Sequence, residues 1–336
     1  MTAPAPAIIV PPQPWAGRFD GEGAEHRRWW QAVTPYALRT IPASASASAS
    51  ASASASASAR IPQRTRAAVL LGFRSDEGVR RNQGRVGAAA GPAAIRAALA
   101  PLAFHLTREV HDAGDVTVAG RSLEAGQARA GLAITRLLDA GQLPVVLGGG
   151  HETAFASYLG IAGSAAVREG LRAGVLNLDA HFDLRDEPVP SSGTPFLQMA
   201  RAEAAAGREL QYAVIGISEP SNTRALFRTA QELGVDYLLD EDCSAAAAHA
   251  FVAAFLAQVD ALYLTIDLDV LPASEAPGVS APAAYGVPVP VVSAVCRQVA
   301  ASGKLLHLDV AELNPGFDID GRTAMVAARL VNTLLG

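Results

Sequence analysis

Between residues 67 and 335 the chain keeps returning to one unit: a short, almost wholly apolar run, then a segment with helical spacing. The runs at 67–73 (AAVLLGF), 143–147 (LPVVL), 173–178 (AGVLNL), 213–217 (AVIGI), 237–239, 261–266 (ALYLTI) and 305–310 (LLHLDV) read as strands. Helices are expected at 91–100, 123–140, from about 153, and at 223–233, 245–259, 291–301 and 322–335. Pro92 stands near the first turn of its helix, Gly141 follows the end of another, and Pro288 and Pro290 stand just ahead of 291–301. Strands apolar on both sides need cover on both faces. Alternation with helices therefore predicts an α/β fold, a mostly parallel sheet between two helical layers. In such sheets, sites form beyond the carboxyl ends of the strands.

Three of the runs end in residues that carry chemistry. His151 stands in GGGHE at 148–152, Asp179, His181 and Asp183 in NLDAHFD at 177–183, and Asp267 and Asp269 in TIDLDV at 265–270. Side chains two residues apart on an extended chain point the same way, so DxHxD and DxD each aim their ligands at one place. Alone, each residue has an ordinary explanation, such as a helix cap, a strand end or a turn. The triple glycine lacks both the GxGxxG spacing and a Walker lysine, so it is no phosphate loop. Together, four Asp and two His form an oxygen-rich set suited to hard divalent ions such as Mn2+ rather than to sulfur-seeking zinc. Four carboxylates balance two dications, and such a pair can lower the pKa of a bridging water. Glu312, just past 305–310, adds a fourth acidic group at the same edge.

Composition narrows the alternatives. Half of the 336 residues are hydrophobic, and the net charge of −5 gives no basic face for nucleic acid. No run reaches the ~20 apolar residues that span a bilayer, and no signal peptide opens the chain, so a cytoplasmic protein is expected. Cys243 and Cys296 make no disulfide framework and read as core residues. His26, His105, His111, His249 and His307 lie outside the clusters and read as structural or surface residues. A strict Ser-Ala alternation at 43–59 has nothing large to bury and reads as a solvated loop. It divides an N-terminal segment (1–42), packing on the catalytic domain, from that domain itself (60–336).

On GGGHE, NLDAHFDLR, TIDLDVLP and LDVAELNP the sequence resembles the ureohydrolase superfamily, which includes arginase, agmatinase and formimidoylglutamase. The resemblance implies an arginase-like fold, a homo-oligomer and a dinuclear manganese site. His151 and Asp183 would bind one ion, His181 and Asp269 the other, and Asp179 and Asp267 would bridge them. Arginase and agmatinase usually carry GGDHS, where this chain has Gly150 and Glu152, and a His-Gly pair that here falls at Ser192-Gly193. Those departures resemble the formimidoylglutamase branch, as do WAGRFD at 15–20, DEGVRRNQGRVG at 76–87 and PGVSAP at 277–282. Ala283-Ala284-Tyr285 departs from the Gly/Pro-rich turn usual there.

The implied reaction converts N-formimidoyl-L-glutamate to L-glutamate and formamide, a step of histidine breakdown, by a metal-bridging hydroxide. Asp183 would carry a proton to the leaving nitrogen. Glu312 would pair with the cationic amidine, a match that suits a guanidinium equally. The small-molecule substrate also bears two carboxylates, for which Arg185, with Arg80, Arg81, Arg85 and Ser192, are the candidates. A urea-releasing guanidino hydrolase and an inactive metal-binding protein are the rival readings.

Overall fold

The structure, a computed structural model, describes residues 8–38 and 66–336, so the Ser-Ala tract lies outside the described residues. Its strands are β1 (Ile8–Val10), β2 (Thr34–Pro35), β3 (Ala68–Arg74), β4 (Val110–Thr117), β5 (Leu143–Leu147), β6 (Ala173–Leu178), β7 (Tyr212–Ile217), β8 (Asp236–Leu239), β9 (Ala261–Asp267) and β10 (Leu305–Ala311). They form one sheet in the order β1-β4-β3-β5-β10-β9-β6-β7-β8, with β2 beside β4. The β1–β4 pair is antiparallel; the other pairs are parallel.

The period of two along each strand sends side chains into two separate cores. On β3, Ala68 and Leu70 enter one, while Val69, Leu71 and Phe73 enter the other. The first core is closed by helices Gly91–Leu99, Ala245–Gln258, Val289–Ser302 and Arg322–Leu335, through residues such as Ile95, Phe255, Val295 and Leu330. The second is closed by Leu123–Asp139, Thr153–Ala162 and Pro195–Ala205, through Ile134, Ala156 and Phe196. Both faces are covered, which gives the expected three-layer α/β/α arrangement. Each fully buried Leu, Val or Phe contributes roughly 1.5–3 kcal/mol, so the two cores hold the central strands rigidly.

Sequence and structure differ in places. The helix expected at 291–301 begins at Val289, so Pro290 lies inside its first turn, where the missing N–H had no partner to lose. Strand β4 (VHDAGDVT) has too many polar residues to show a strand pattern. Its acids are neutralised from outside the strand: Arg96 makes a two-pronged contact with Asp112 at 2.9 Å and reaches Asp115 at 2.6 Å. Gly114, at φ 79°, lets β1 pass so closely that a Cβ there would sit 2.0 Å from the Val10 carbonyl oxygen. His111, which reads as part of a polar stretch, lies on β4 with Nδ1 2.7 Å from Thr34 Oγ1.

The segment before the tract is tied down by tryptophans. Trp15 Nε1 donates to Asp112 Oδ2 at 2.9 Å, and fully buried Trp29 donates to Asn332 Oδ1 at 2.9 Å. Cys243 and Cys296 are free and buried, as expected. Among the described residues, no helix is long and apolar enough to cross a membrane.

Candidate metal centre

Four neighbouring strands at the middle of the sheet, β5, β10, β9 and β6, supply the site from their carboxyl ends. After β5 the chain runs through Gly148-Gly149-Gly150 to His151, a path that passes too close to its neighbours for side chains. A Cβ on Gly149 would lie 1.7 Å from the Ser75 carbonyl oxygen. Asp267 ends β9, Asp269 follows on a short 3-10 turn, Asp179 follows β6, and Glu312 follows β10.

His151 Nδ1 lies 2.9 Å from Asp183 Oδ2, 3.1 Å from Asp179 Oδ2 and 3.2 Å from Asp267 Oδ2. His181 Nδ1 lies 3.1 Å from Asp269 Oδ2 and 3.5 Å from Asp179 Oδ1. The ligand atoms therefore form two groups that could each hold an ion: His151, Asp179, Asp183 and Asp267 in one, and Asp179, His181 and Asp269 in the other. Asp179 offers one oxygen to each. Asp267 joins only the first group, and its Oδ1 accepts the backbone N–H of Asp269 at 2.9 Å. The structure thus brings all six sequence-selected ligands together, with one bridge plain and the second turned partly aside.

The charges fit that reading. The four aspartates are buried or nearly so, and among the described residues no arginine or lysine pairs with them. Burial, reinforced by the Asp179 charge, pushes the Asp183 carboxyl up to about 6. Burial and the neighbouring Asp269 charge raise Asp267 well above the usual range, and burial also raises Asp269. Asp179 goes the other way: burial opposes ionisation, but hydrogen bonds from both histidines win. Both histidines resist burial and hold their protons, through bonds to Asp179, Asp183 and Asp267 for His151 and mainly through the Asp269 charge for His181. Carboxylates that raise the proton affinity of both imidazoles would draw metal cations to the same place.

Glu312 stands at φ 68° and Asp183 at φ 48°, left-handed conformations that non-glycine residues seldom adopt. Glu312 Oε1 accepts the backbone N–H of His151 at 2.8 Å, while buried Oε2 has no partner. Burial and the Glu152 charge raise its carboxyl to about 8, a shift that a cation against Oε2 would reverse by favouring the ionised form. A cavity of about 210 Å3 opens over these groups, lined by His151, His181, Asp183, Asp267, Asp269 and Glu312 on one side and by Asn82, Arg185, Ser192 and Ser280 on another.

The sequence-selected substrate residues divide accordingly. Arg185 and Ser192 line the cavity. Arg80 and Arg81 do not; they pair with Glu77 at 2.6 and 3.0 Å, and Arg81 also holds Glu124 and the Pro190 carbonyl. Arg85 packs over the Phe317 ring at 4.1 Å and donates to the Ser280 carbonyl.

Several supporting residues have no signal in ligand spacing. Thr265 Oγ1 lies 3.0 Å from His151 Nε2, so the ring presents Nδ1 to the carboxylates. Asp309, the register partner of Thr265, accepts from Ser157 Oγ and Tyr263 OH at 2.5 Å each. Its trace in the sequence is an acid inside an otherwise apolar strand. Glu152 is buried, and its Oε1 accepts from Ser75 Oγ at 2.7 Å and from Gly78 N at 2.9 Å. Asn222 accepts from Phe182 N at 3.1 Å and donates to the Ala180 and Ser218 carbonyls at 2.9 Å each.

A mostly parallel sheet of this order, with two facing carboxylate–histidine groups at its centre, defines a class: α/β proteins with a candidate site for a pair of divalent ions. This chain belongs to the arginase family, whose model matches residues 66–336. It is 56% identical over 321 residues to the formimidoylglutamase of Nocardia farcinica, covering 96% of this chain and 95% of that one. It is 54% identical over 331 residues to the Rhodococcus jostii formimidoylglutamase, covering 98% and 96%. Among solved structures, Trypanosoma cruzi formiminoglutamase with Mn2+ superposes with a TM-score of 0.72 at 25% identity, covering 83% of this chain and 95% of that one.

Proposed function

We propose that this chain hydrolyses N-formimidoyl-L-glutamate to L-glutamate and formamide, using two Mn2+ ions. The observation that carries the reading is the shared cavity. It sets the six-ligand cluster beside a buried carboxylate, Glu312, with a free Oε2. Relatives of 54–56% identity that cover nearly the whole chain bear the name of that activity.

In this reading His151, Asp183, Asp179 and Asp267 hold one ion and His181, Asp269 and Asp179 the other. Bound there, the ions would supply a water of lowered pKa and withdraw charge from the reacting carbon. The chain's own groups do the rest. Glu312 Oε2 accepts from the amidine N–H groups and fixes the formimidoyl carbon over the cluster. The C–O bond forms, the C–N bond to the glutamate nitrogen breaks, and the Asp183 carboxyl takes the water's proton and passes it to that nitrogen. Among the described residues, Arg185 is the only arginine or lysine lining the cavity, and its loose pairing with Glu187 at 3.9 Å leaves it available to a substrate carboxylate. The buried Ser192 hydroxyl is a second donor on that wall.

The test is a substrate panel with Mn2+, containing formimidoylglutamate, arginine, agmatine and guanidino acids. Formamide, urea and ammonia are scored separately. Formamide from the first substrate alone is expected; urea from any of the others would replace this reading with a guanidino hydrolase. Two bound Mn2+ without turnover on any substrate would leave a binding protein.

A further inference from the structure

The two metal-facing histidines are held in place by different means. His151 is steered through its ring, by Thr265 Oγ1 3.0 Å from Nε2. For His181, among the described residues, only Nδ1 meets a partner, and both of those contacts are candidate ligands, Asp269 and Asp179. Its ring is also the more open, with the side chain 25% exposed against 1% for His151. A metal-ligating imidazole ordinarily has its far nitrogen fixed by a second group, which sets ring orientation and strengthens binding. His181 lacks that group.

What it has instead is a grip on its backbone. Asn222, 6% exposed, reaches from the segment after β7 and holds the peptide groups on both sides of His181. Its Oδ1 accepts from Phe182 N at 3.1 Å, and its Nδ2 donates to the Ala180 carbonyl at 2.9 Å. Its second N–H goes to the Ser218 carbonyl at 2.9 Å, so both donors are used and a flipped amide would set its oxygen against two carbonyls. Ser218 N adds a bond to the Ala180 carbonyl at 3.0 Å, and Tyr212 OH donates to the Phe182 carbonyl at 3.1 Å. The φ and ψ of His181 are thereby fixed from both ends, which aims the ring without touching it.

We infer that Asn222 is a positioning residue for His181, and that it sets the affinity of the second ion, held by His181 and Asp269, independently of the first. The inference rests on the dinuclear reading of the cluster. An amide is required at this position. A carboxylate would face two carbonyl oxygens without donors, and an alanine would leave the buried Phe182 N–H unpaired and the Ala180 and Ser218 carbonyls held only by Ser218 N and Ser221 N.

The experiment is Mn2+ binding to the full chain, wild type against Asn222→Ala and Asn222→Asp. Calorimetry resolves the two sites, and spin coupling between neighbouring ions reports double occupancy. One site should weaken by about tenfold to a hundredfold in both variants, the usual cost of losing an orienting partner. The other should stay within about threefold, and the coupled signal should return at high Mn2+. The Asp variant, nearly isosteric, keeps the measurement readable if the Ala variant fails to fold, and a folded Asp variant with unchanged two-site binding overturns the inference. Equal weakening of both sites also overturns it, since that is the signature of general loosening. Wild-type protein binding fewer than two ions would instead remove the dinuclear reading on which it rests.

Discussion

Glu312 holds His151 by the backbone: its Oε1 accepts the His151 N–H at 2.8 Å, leaving Oε2 turned to the cavity. One carboxylate thus fixes the loop that carries a candidate metal ligand and, in the proposed reaction, would offer its other oxygen to the substrate. Glu312→Gln keeps an acceptor for His151 but gives up the charge. Bound Mn2+ should stay at the wild-type ratio while kcat/KM falls about 10–100-fold, the worth of one charge-assisted hydrogen bond. Atomic absorption beside steady-state kinetics checks both. Unchanged kcat/KM would remove Glu312 from amidine recognition.

Metal removal should be visible in stability as well as in turnover. Asp183, Asp267 and Asp269 are all pushed toward their neutral forms in the bare cluster, by burial first and by mutual repulsion second, and bound cations would offset both. Ions held at a hundredfold over their Kd stabilise by about 2.7 kcal/mol. Chelation should therefore lower Tm by several degrees and added Mn2+ restore it, read by scanning calorimetry. Asp267→Ala should lose both the metal-dependent rise and turnover.

Gly150 and Glu152 form a steric pair. A Cβ on Gly150 would lie 2.2 Å from Glu152 Oε2 and 2.4 Å from Val79 Cγ2. The GGDHS pattern of arginase and agmatinase is thus excluded here one residue at a time. Gly150→Asp alone should destabilise by about 1–3 kcal/mol through overpacking. In Gly150→Asp/Glu152→Ser the smaller serine should recover part of that loss, a coupling on the order of 1 kcal/mol. Urea denaturation of the single and double variants tests it; strict additivity would argue against the clash.

His307 predicts an acid-sensitive term away from the cavity. Burial pushes its ring down to about 3, with the Pro144 backbone offsetting part of the shift. Between about 6.5 and 3 the unfolded chain binds a proton that the folded chain refuses. Stability therefore falls with pH across that window, by up to about 1.4 kcal/mol per unit. His307→Leu should flatten this part of the profile, measured as ΔG of unfolding from pH 7 down to 4. An unchanged slope would place the acid sensitivity elsewhere.

The sheet and the clustering of the candidate ligands were legible because both rest on short-range patterns. Runs such as LPVVL and AGVLNL cannot be solvated, and DxHxD and DxD at their ends need only the strand period to converge. What stayed hidden depends on contacts between distant segments. Strand β4 is polar until Arg96 arrives to neutralise Asp112 and Trp15 to hydrogen-bond it. Arg80 and Arg81 look like substrate cations until Glu77 and Glu124 are seen to occupy them. Asn222 lies 40 residues from the Phe182 amide it grips, with no local feature to mark it.

The strands that bear the site lie side by side as β5, β10, β9 and β6, yet the chain visits them as β5, β6, β9 and β10. His151 therefore waits for residue 312 before its backbone N–H finds a partner, across 161 positions. The six-ligand cage itself is complete only once Asp269 has been made, 118 positions after His151 (269 − 151). Metal loading is then a late event, and truncated or slowly translated chains would expose a nest of unpartnered acids instead.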